Sequence, residues 1–284
     1  MALFLALGSL LAQTATEDKA IEAKKLYNEG ISALRTGKTD VALNKLNEAV
    51  QKDPDLAVAY YGLGIAYKLK RDYVNAMKNY QTAIDKDPQL VKAYTALGLL
   101  QLQQQEYVKA INTFKAAVKI KPDEVKAIWG IADAYRRKRD YRTALEYYQK
   151  AVMTDETYAK AWDGLGATLY ELGKYADAVD AFNTALKNQK KNKEKEGTLL
   201  RLGNAYVKLK NYTAAEKAYK DCLAIVRSSN IRAAANFGLG EIYRDRGKKK
   251  LALTYFQKAS KNRNWQQPAL YEIDLIKNGD KYTN

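Results

Sequence analysis

The sequence predicts an all-α fold in which one helical hairpin repeats along the chain as a solenoid, and two series of small residues carry this prediction. Glycine or alanine recurs every 34 residues and then every 37, and a second alanine series follows at a fixed offset. A constant period of this length is typical of solenoids built from one supersecondary unit. The first series is Gly30, Gly64, Gly98, Ala132, Gly166, Gly203 and Gly240, and the second is Ala42, Ala76, Ala110, Ala144, Ala178, Ala215 and Ala252.

Each repeat contains two amphipathic segments when the recurring glycine is numbered position 8. Positions 4, 7, 8 and 11 share one face of a first helix, and positions 20, 24 and 27 share one face of a second. Large apolar residues at 4, 7 and 24 fill the space beside the small residues at 8, 20 and 27. A turn near position 15 separates the two helices, and Pro54, Pro88 and Pro122 at position 32 separate the early repeats. The frames are 23–56, 57–90, 91–124, 125–158, 159–192, 196–229 and 233–266, with insertions at 193–195 and 230–232. The charged run from Lys190 to Glu196, at the first insertion, is expected to be a solvated linker.

These positions resemble the W-L-G-Y-A-F-A-P pattern of the tetratricopeptide repeat family over residues 20–266. The second repeat carries the pattern best, with Tyr60, Leu63, Gly64, Tyr67, Ala76, Tyr80, Ala83 and Pro88. The resemblance implies a right-handed α-solenoid of seven repeats that binds other proteins. The sequence departs from the pattern at Glu29 and Ala33 of the first repeat and at Ala132 of the fourth, and the last four repeats lack the proline.

The C-terminal residues 267–284 are predicted to form a capping helix and a tail. Ala269, Leu270, Ile273 and Ile276 have helical spacing and are expected to cover the last apolar face, as the terminal units of solenoids do. The tail from Asn278 to Asn284 is polar and is expected to fray.

The first twelve residues are uncharged and nearly all apolar, which is too short a run to span a membrane. They resemble the hydrophobic region of a secretory signal peptide covering residues 1–15, with cleavage after Ala12 or near Ala15. This indicates a bacterial protein exported to the periplasm or envelope. Two alternatives stay open: a hydrophobic helix docked on the first repeat, with a cytoplasmic location if residues 1–12 are retained, and a short retained membrane anchor.

Composition argues against an enzyme. The chain has no histidine, which removes the commonest general base and transition-metal ligand. Its single cysteine, Cys222, occupies position 27, where the other repeats have alanine, and is expected to be a small core residue. The glycines stand alone at packing positions, so they form no phosphate-binding loop. We therefore expect no catalytic residue, no cofactor, no metal and no small-molecule substrate.

The resemblance places positions 2, 5, 9, 12 and 13 of each first helix on a concave groove where partners bind. The candidate groove residues are Tyr27, Tyr61, Ile65, Thr95, Leu99, Lys126, Trp129, Asp133, Asn204 and Phe237. Five of them are apolar or aromatic and are expected to form an exposed, contiguous interaction patch: Tyr27, Tyr61, Ile65, Leu99 and Trp129. An alternative is that Tyr27, Ile31 and Tyr61 pack on the N-terminal segment or on one another. Position 5 is never lysine, so the carboxylate clamp that some members use is not expected.

Basic residues concentrate at the turn between the two helices. Positions 12–18 hold 18 Lys or Arg and 6 Asp or Glu over the seven repeats, out of a net charge of +16. The cations selected as a basic ridge are Lys68, Lys70, Arg71, Arg136, Arg137, Lys138, Arg139, Arg142, Arg244, Arg246, Lys248, Lys249 and Lys250. One interpretation is ordinary complementation of the helix dipole. The other is a site for an anionic polymer or membrane surface.

The sequence thus predicts a non-enzymatic scaffold that binds a protein partner in its concave groove, in the assembly of a cell-envelope complex. The alternative is a protein that binds nucleic acid, glycan or lipid headgroups through the basic ridge.

Overall fold

The computed structural model describes residues 2–278, with side chains from residue 17 onward. Within these residues the chain forms fifteen helices and no strand, which confirms the predicted all-α solenoid class. The proposed cleavage sites at Ala12 and Ala15 and the tail after Asn278 lie outside the described side chains. The helices are α1 (Ala2–Arg35), α2 (Thr39–Lys52), α3 (Ala57–Leu69), α4 (Tyr73–Lys86), α5 (Val91–Gln103), α6 (Tyr107–Ile120), α7 (Val125–Arg137), α8 (Tyr141–Thr154), α9 (Ala159–Glu171), α10 (Tyr175–Asn188), α11 (Asn192–Lys208), α12 (Tyr212–Ile225), α13 (Ser229–Asp245), α14 (Lys249–Ala259) and α15 (Gln266–Asn278).

The chain divides into two compact units, which meet in the sequence between Ala134 and Tyr135 within α7. In the first unit, α1 to α6 pack pairwise in chain order, and α1 also contacts α3. In the second unit, α8 to α15 pack in the same way, and α11 also contacts α13. Each helix therefore contacts mainly its neighbours in the chain, as expected of a repeat protein.

All seven turns between paired helices have the same backbone geometry. Position 15 has a positive φ in every repeat, and the next residue donates its N–H to the carbonyl five residues earlier at 2.8 to 3.0 Å. This is the Schellman ending of a helix, which normally requires glycine. Glycine is present at Gly37, Gly173 and Gly247, whereas the other four turns use Arg71, Gln105, Arg139 and Lys210.

The recurring glycines pack against the large residue at position 24. A methyl group added at Gly98 would lie 2.7 Å from Cε1 of Phe114, and one added at Gly166 would lie 2.7 Å from two ring atoms of Phe182. A second glycine register, at position 6, contacts the position-24 side chain of the preceding repeat, as Gly130 does with Phe114. The same residue type therefore controls packing both within and between repeats.

The two predicted insertions belong to helices. Residues 193–195 and 230–232 lie inside α11 and α13, which have 17 residues each, against 13 in α3, α5, α7 and α9. The charged run from Lys190 to Glu196, expected to be a solvated linker, is helical from Asn192, and Glu196 is buried. Its carboxylate accepts the backbone N–H of Arg227 at 2.9 Å, so it joins the beginning and the end of the sixth repeat.

The helix α15 packs on the end of the second unit. Ala269 and Ile273 are buried in a cluster with Phe256 of α14, and Ile276 packs against its edge. Leu270, expected to lie on the same face, is 45% exposed, because it lies one residue away from the buried register of Ala269 and Ile273.

Candidate functional site

A pocket of about 310 Å³ opens on the first unit between α3, α5 and the beginning of α7. Helical spacing explains its walls, since residues three, four and seven apart share one face. Five of the predicted groove residues meet there: Tyr61, Ile65, Thr95, Leu99 and Lys126. We call this the first-unit pocket; it is also lined by Lys68, Leu69, Tyr80, Lys92, Ala96 and Glu124.

The floor of the first-unit pocket is apolar and half-buried. Tyr61, Ile65 and Leu99 each have an intermediate exposure, so these side chains are less exposed than expected. The cause is the neighbouring helix: the ring of Tyr61 lies 5.8 Å from that of Tyr80, centroid to centroid. Burial raises the pKa of the Tyr61 hydroxyl, which is therefore protonated and able to donate a hydrogen bond at neutral pH.

The rim of the first-unit pocket is cationic. The side chains of Lys68, Lys92 and Lys126 are exposed. The one carboxylate at the rim, Glu124, lies 3.3 Å from the amino group of Lys121. The pocket thus combines an apolar floor with an excess of positive charge.

Thr95 lies in the wall of the pocket and is only 6% exposed. Its hydroxyl has no hydrogen-bond partner among the described residues. Several other threonines inside helices donate to the carbonyl four residues earlier, as Thr82 does to Lys78 at 3.1 Å and Thr168 to Gly164 at 2.8 Å. A buried hydroxyl without a hydrogen-bond partner costs free energy, so Thr95 differs from Thr82 and Thr168.

The remaining groove candidates of the first unit do not line this pocket. Tyr27 is half-buried on α1, and burial raises its pKa. Trp129 is also half-buried and makes contacts of its own. Asp133 is 3% exposed and has an interaction partner. Asp133 was expected on the groove surface, and its burial removes it from that surface.

Asn204 and Phe237 lie in a separate pocket of about 360 Å³ on the second unit. The hydroxyl of Tyr219 donates to Oδ1 of Asn204 at 2.7 Å, so part of this amide is already used. The Phe237 ring lies 5.1 Å from that of Trp265. Burial raises the pKa of Glu241 in the same pocket. Sequence reasoning did not select Trp265, since it follows the last repeat helix, where the pattern assigns no packing role.

Several cations of the basic ridge are engaged in ion pairs. Lys70 pairs with Asp40 at 2.8 Å, and Arg246 pairs with Glu216 at 2.8 Å. Arg244 pairs with Glu272 of α15, and the ion pair contributes to the contact between that helix and the preceding repeat. Lys138, Arg139 and Arg142, together with Lys248, Lys249 and Lys250, are exposed. Arg136 and Arg137 have interaction partners. The ridge therefore has less free positive charge than its composition predicts.

Metal-ligand clusters and membrane-spanning helices are both absent from the described part of the chain. No group of three or more metal-ligating side chains occurs between residues 17 and 278. Among the helices of the described residues, none has the length and apolar character needed to span a bilayer.

Comparison with known proteins supports the repeat assignment. Three profiles of the tetratricopeptide repeat match residues 27–91 and 129–193, residues 68–135, and residues 195–264. No curated protein sequence matches the chain.

Solved structures share the fold. The Cut9–Hcn1 hetero-tetramer of the APC/C aligns over 93% of this chain with a TM-score of 0.69 and 20% identity, and this chain covers 48% of the matched chain, or about half. A tetratricopeptide repeat protein from Parabacteroides merdae aligns over 90% of this chain and 99% of its own, with a TM-score of 0.63 and 16% identity. YrrB, described as having an unusual peptide-binding site, aligns over 63% of this chain and 91% of its own, with a TM-score of 0.51 and 18% identity. The three tetratricopeptide profiles together match residues 27–193 and 195–264, which is most of the sequence. The chain therefore belongs to the tetratricopeptide repeat family.

Proposed function

We propose that this protein is a non-enzymatic scaffold that binds a segment of another protein in the first-unit pocket. One observation carries the proposal: Tyr61, Ile65 and Leu99 present a half-buried apolar floor that the helix stack leaves open. Concave sites lined by apolar and aromatic side chains are the usual places for binding. Among proteins of the same fold, YrrB has a peptide-binding site and Cut9 occurs in a hetero-tetramer with Hcn1.

The mechanism is preorganised complementarity without turnover. Packing fixes the positions of the helices that form the pocket. The pocket therefore needs little reorganisation when a partner binds, and this reorganisation takes little of the binding free energy. The floor excludes water from apolar side chains of the partner, and the polar rim orients its backbone and charges.

Site-specific photocross-linking tests this proposal. A photoreactive phenylalanine analogue in place of Leu99 should yield a discrete cross-linked protein in cells that make this chain. The same analogue in place of Val74, which is 75% exposed on α4 outside the pocket, is the matched control. Equal products from the two positions would contradict binding in the pocket.

We also propose that the protein is exported and acts in an envelope complex. The support is the uncharged, apolar run of residues 1–12, followed by polar residues from Gln13. Intact-mass measurement of the protein from its native cells should show a chain lacking this segment. A mass that includes Met1 would contradict the proposal.

A further inference from the structure

We propose that the occupant of the first-unit pocket is an acidic peptide segment, with apolar side chains flanked by Asp or Glu. This inference rests on the proposed function and specifies the chemistry of the partner. Apolar side chains of the segment enter between Tyr61, Ile65 and Leu99. Its carboxylates face the three rim lysines, and its backbone bonds with the Thr95 hydroxyl.

Two of the three rim lysines lie where helix electrostatics do not explain them. Lys92 and Lys126 are the second residues of α5 and α7, where the helix dipole disfavours a cation. Among the described residues neither makes an ion pair, nor does Lys68, whereas the nearby Lys70 pairs with Asp40. The charge is therefore available to a ligand carboxylate.

The Thr95 hydroxyl is an independent observation that points to the same place. It is buried in the pocket wall on α5, and its oxygen is unsatisfied among the described residues. The oxygen is almost out of contact with solvent, so a rotation of the Thr95 side chain accompanies binding. A ligand peptide group then gives the hydroxyl the partner that the helix does not provide. The hydroxyl thus marks where the peptide backbone passes.

The apolar floor favours a peptide over a nucleic acid or a lipid surface. Phosphate backbones are bound by rows of cations and by stacking on exposed aromatic faces. Here Ile65 and Leu99 are aliphatic, Tyr61 is half-covered by Tyr80, and the three cations surround this floor. An acidic segment with interspersed apolar residues satisfies both the floor and the rim.

Peptide arrays test the inference with the full chain as the probe. Three sets of 12-residue peptides share fixed Leu and Phe positions, and their other positions are drawn from Asp/Glu/Ser, Asn/Gln/Ser or Lys/Arg/Ser. The acidic set should retain the chain most strongly, and its signal should fall with added salt. Equal retention by the acidic and neutral sets would overturn the inference.

Paired variants locate the binding. Substituting Lys92→Gln together with Lys126→Gln should weaken the acidic set about tenfold, the sum of two partly exposed ion pairs. The control, Lys78→Gln with Lys115→Gln, removes the same charge from exposed positions on α4 and α6 outside the pocket and should change the affinity less than twofold. Equal losses in both pairs would show a nonspecific charge effect and overturn the inference.

Thr95→Val separates binding from folding. The variant should bind the acidic set about threefold to tenfold more weakly, as expected for one lost hydrogen bond. Its urea midpoint should stay the same or rise, because an unsatisfied buried hydroxyl is removed. Unchanged affinity would overturn the placement of the peptide backbone.

Two further outcomes distinguish this inference from the proposed function. If Leu99 cross-links to a protein while no acidic peptide binds, the scaffold function stands and the acidic class is wrong. If a single-stranded RNA homopolymer of matched charge binds more tightly and depends on Lys92 and Lys126, the pocket is a polyanion site and both proposals fail.

Discussion

The ring of Phe114 lies between two glycines, Gly98 of its own repeat and Gly130 of the next. The sequence indicated the first of these contacts, because position 8 is small in every repeat. It did not indicate the second, since position 6 is glycine in only some repeats and the ring it meets belongs to the preceding repeat. Single small residues therefore set how closely helices approach.

At Gly166 this packing predicts a loss of stability on adding one methyl group. Gly166→Ala places the new carbon 2.7 Å from the buried Phe182 ring, and the overpacking should cost about 1–3 kcal/mol. Gly197→Ala is the control: its nearest neighbour is the flexible end of Arg201 at 3.5 Å, and alanine should stabilise α11 by about 0.5–1 kcal/mol. Urea unfolding followed by circular dichroism measures both. Equal effects of the two substitutions would contradict this packing.

The thiol of Cys222 should be inert in the folded protein. Its side chain is buried, its Sγ donates to the carbonyl of Glu196 at 3.2 Å, and burial raises its pKa to about 11. The reactive thiolate is therefore scarce below about pH 9. Labelling with a maleimide at pH 8 should be slow in buffer and fast in denaturant. Rapid labelling of the folded chain would show that this residue is accessible.

At the scale of the helix ending, four of the seven position-15 turns use residues that disfavour the conformation they adopt. Gln105 has φ of 64°, and a side chain there costs about 1–2 kcal/mol. Gln105→Gly removes this cost but raises the conformational entropy of the unfolded chain, which offsets part of the gain. The net effect should be a stabilisation of about 1 kcal/mol. Gln104→Gly, at φ of −80°, is the control and should destabilise it. Thermal unfolding of both variants tests this, and stabilisation by both would contradict it.

The extended helices α11 and α13 show why a charged run was misinterpreted. Lys and Glu are good helix formers, so the run from Lys190 to Glu196 is compatible with either a linker or a helix. The tertiary contact of the Glu196 carboxylate with the backbone of Arg227 and Ser228 favours the helix. Such a contact joins residues 31 and 32 positions apart, and local propensity carries no information about it.

At the scale of the whole molecule, contacts between neighbouring helices predict that a local defect stays local. Ile273→Asp buries a charge between α15 and the preceding repeat and should remove hydrogen-exchange protection from α13 to α15. Protection of α8 and α9 should be unchanged, because within the second unit these two helices pack on each other and on α10 and α11. Leu270→Asp, at a 45% exposed position, is the control and should have little effect. A uniform loss of protection along the chain would contradict this independence.

The sequence by itself determined the helical hairpin, its period and the faces that form the core. These follow from helical periodicity and from small residues at fixed positions, which a single chain displays directly. It also placed Tyr61, Ile65 and Leu99 on the same side of their helices, because position in a repeat fixes direction around a helix axis.

Only the tertiary structure decided which of these residues form a site. The distance between α3, α5 and α7 brings Lys126 beside Leu99, buries Asp133 and leaves the Thr95 hydroxyl without a partner. It also pairs Arg246 with Glu216, thirty residues apart. Burial, ion pairing and pocket formation depend on how closely the helices approach and on which side chains then meet. The repeat pattern of one helix encodes neither the approach distance nor the pairs of side chains in contact.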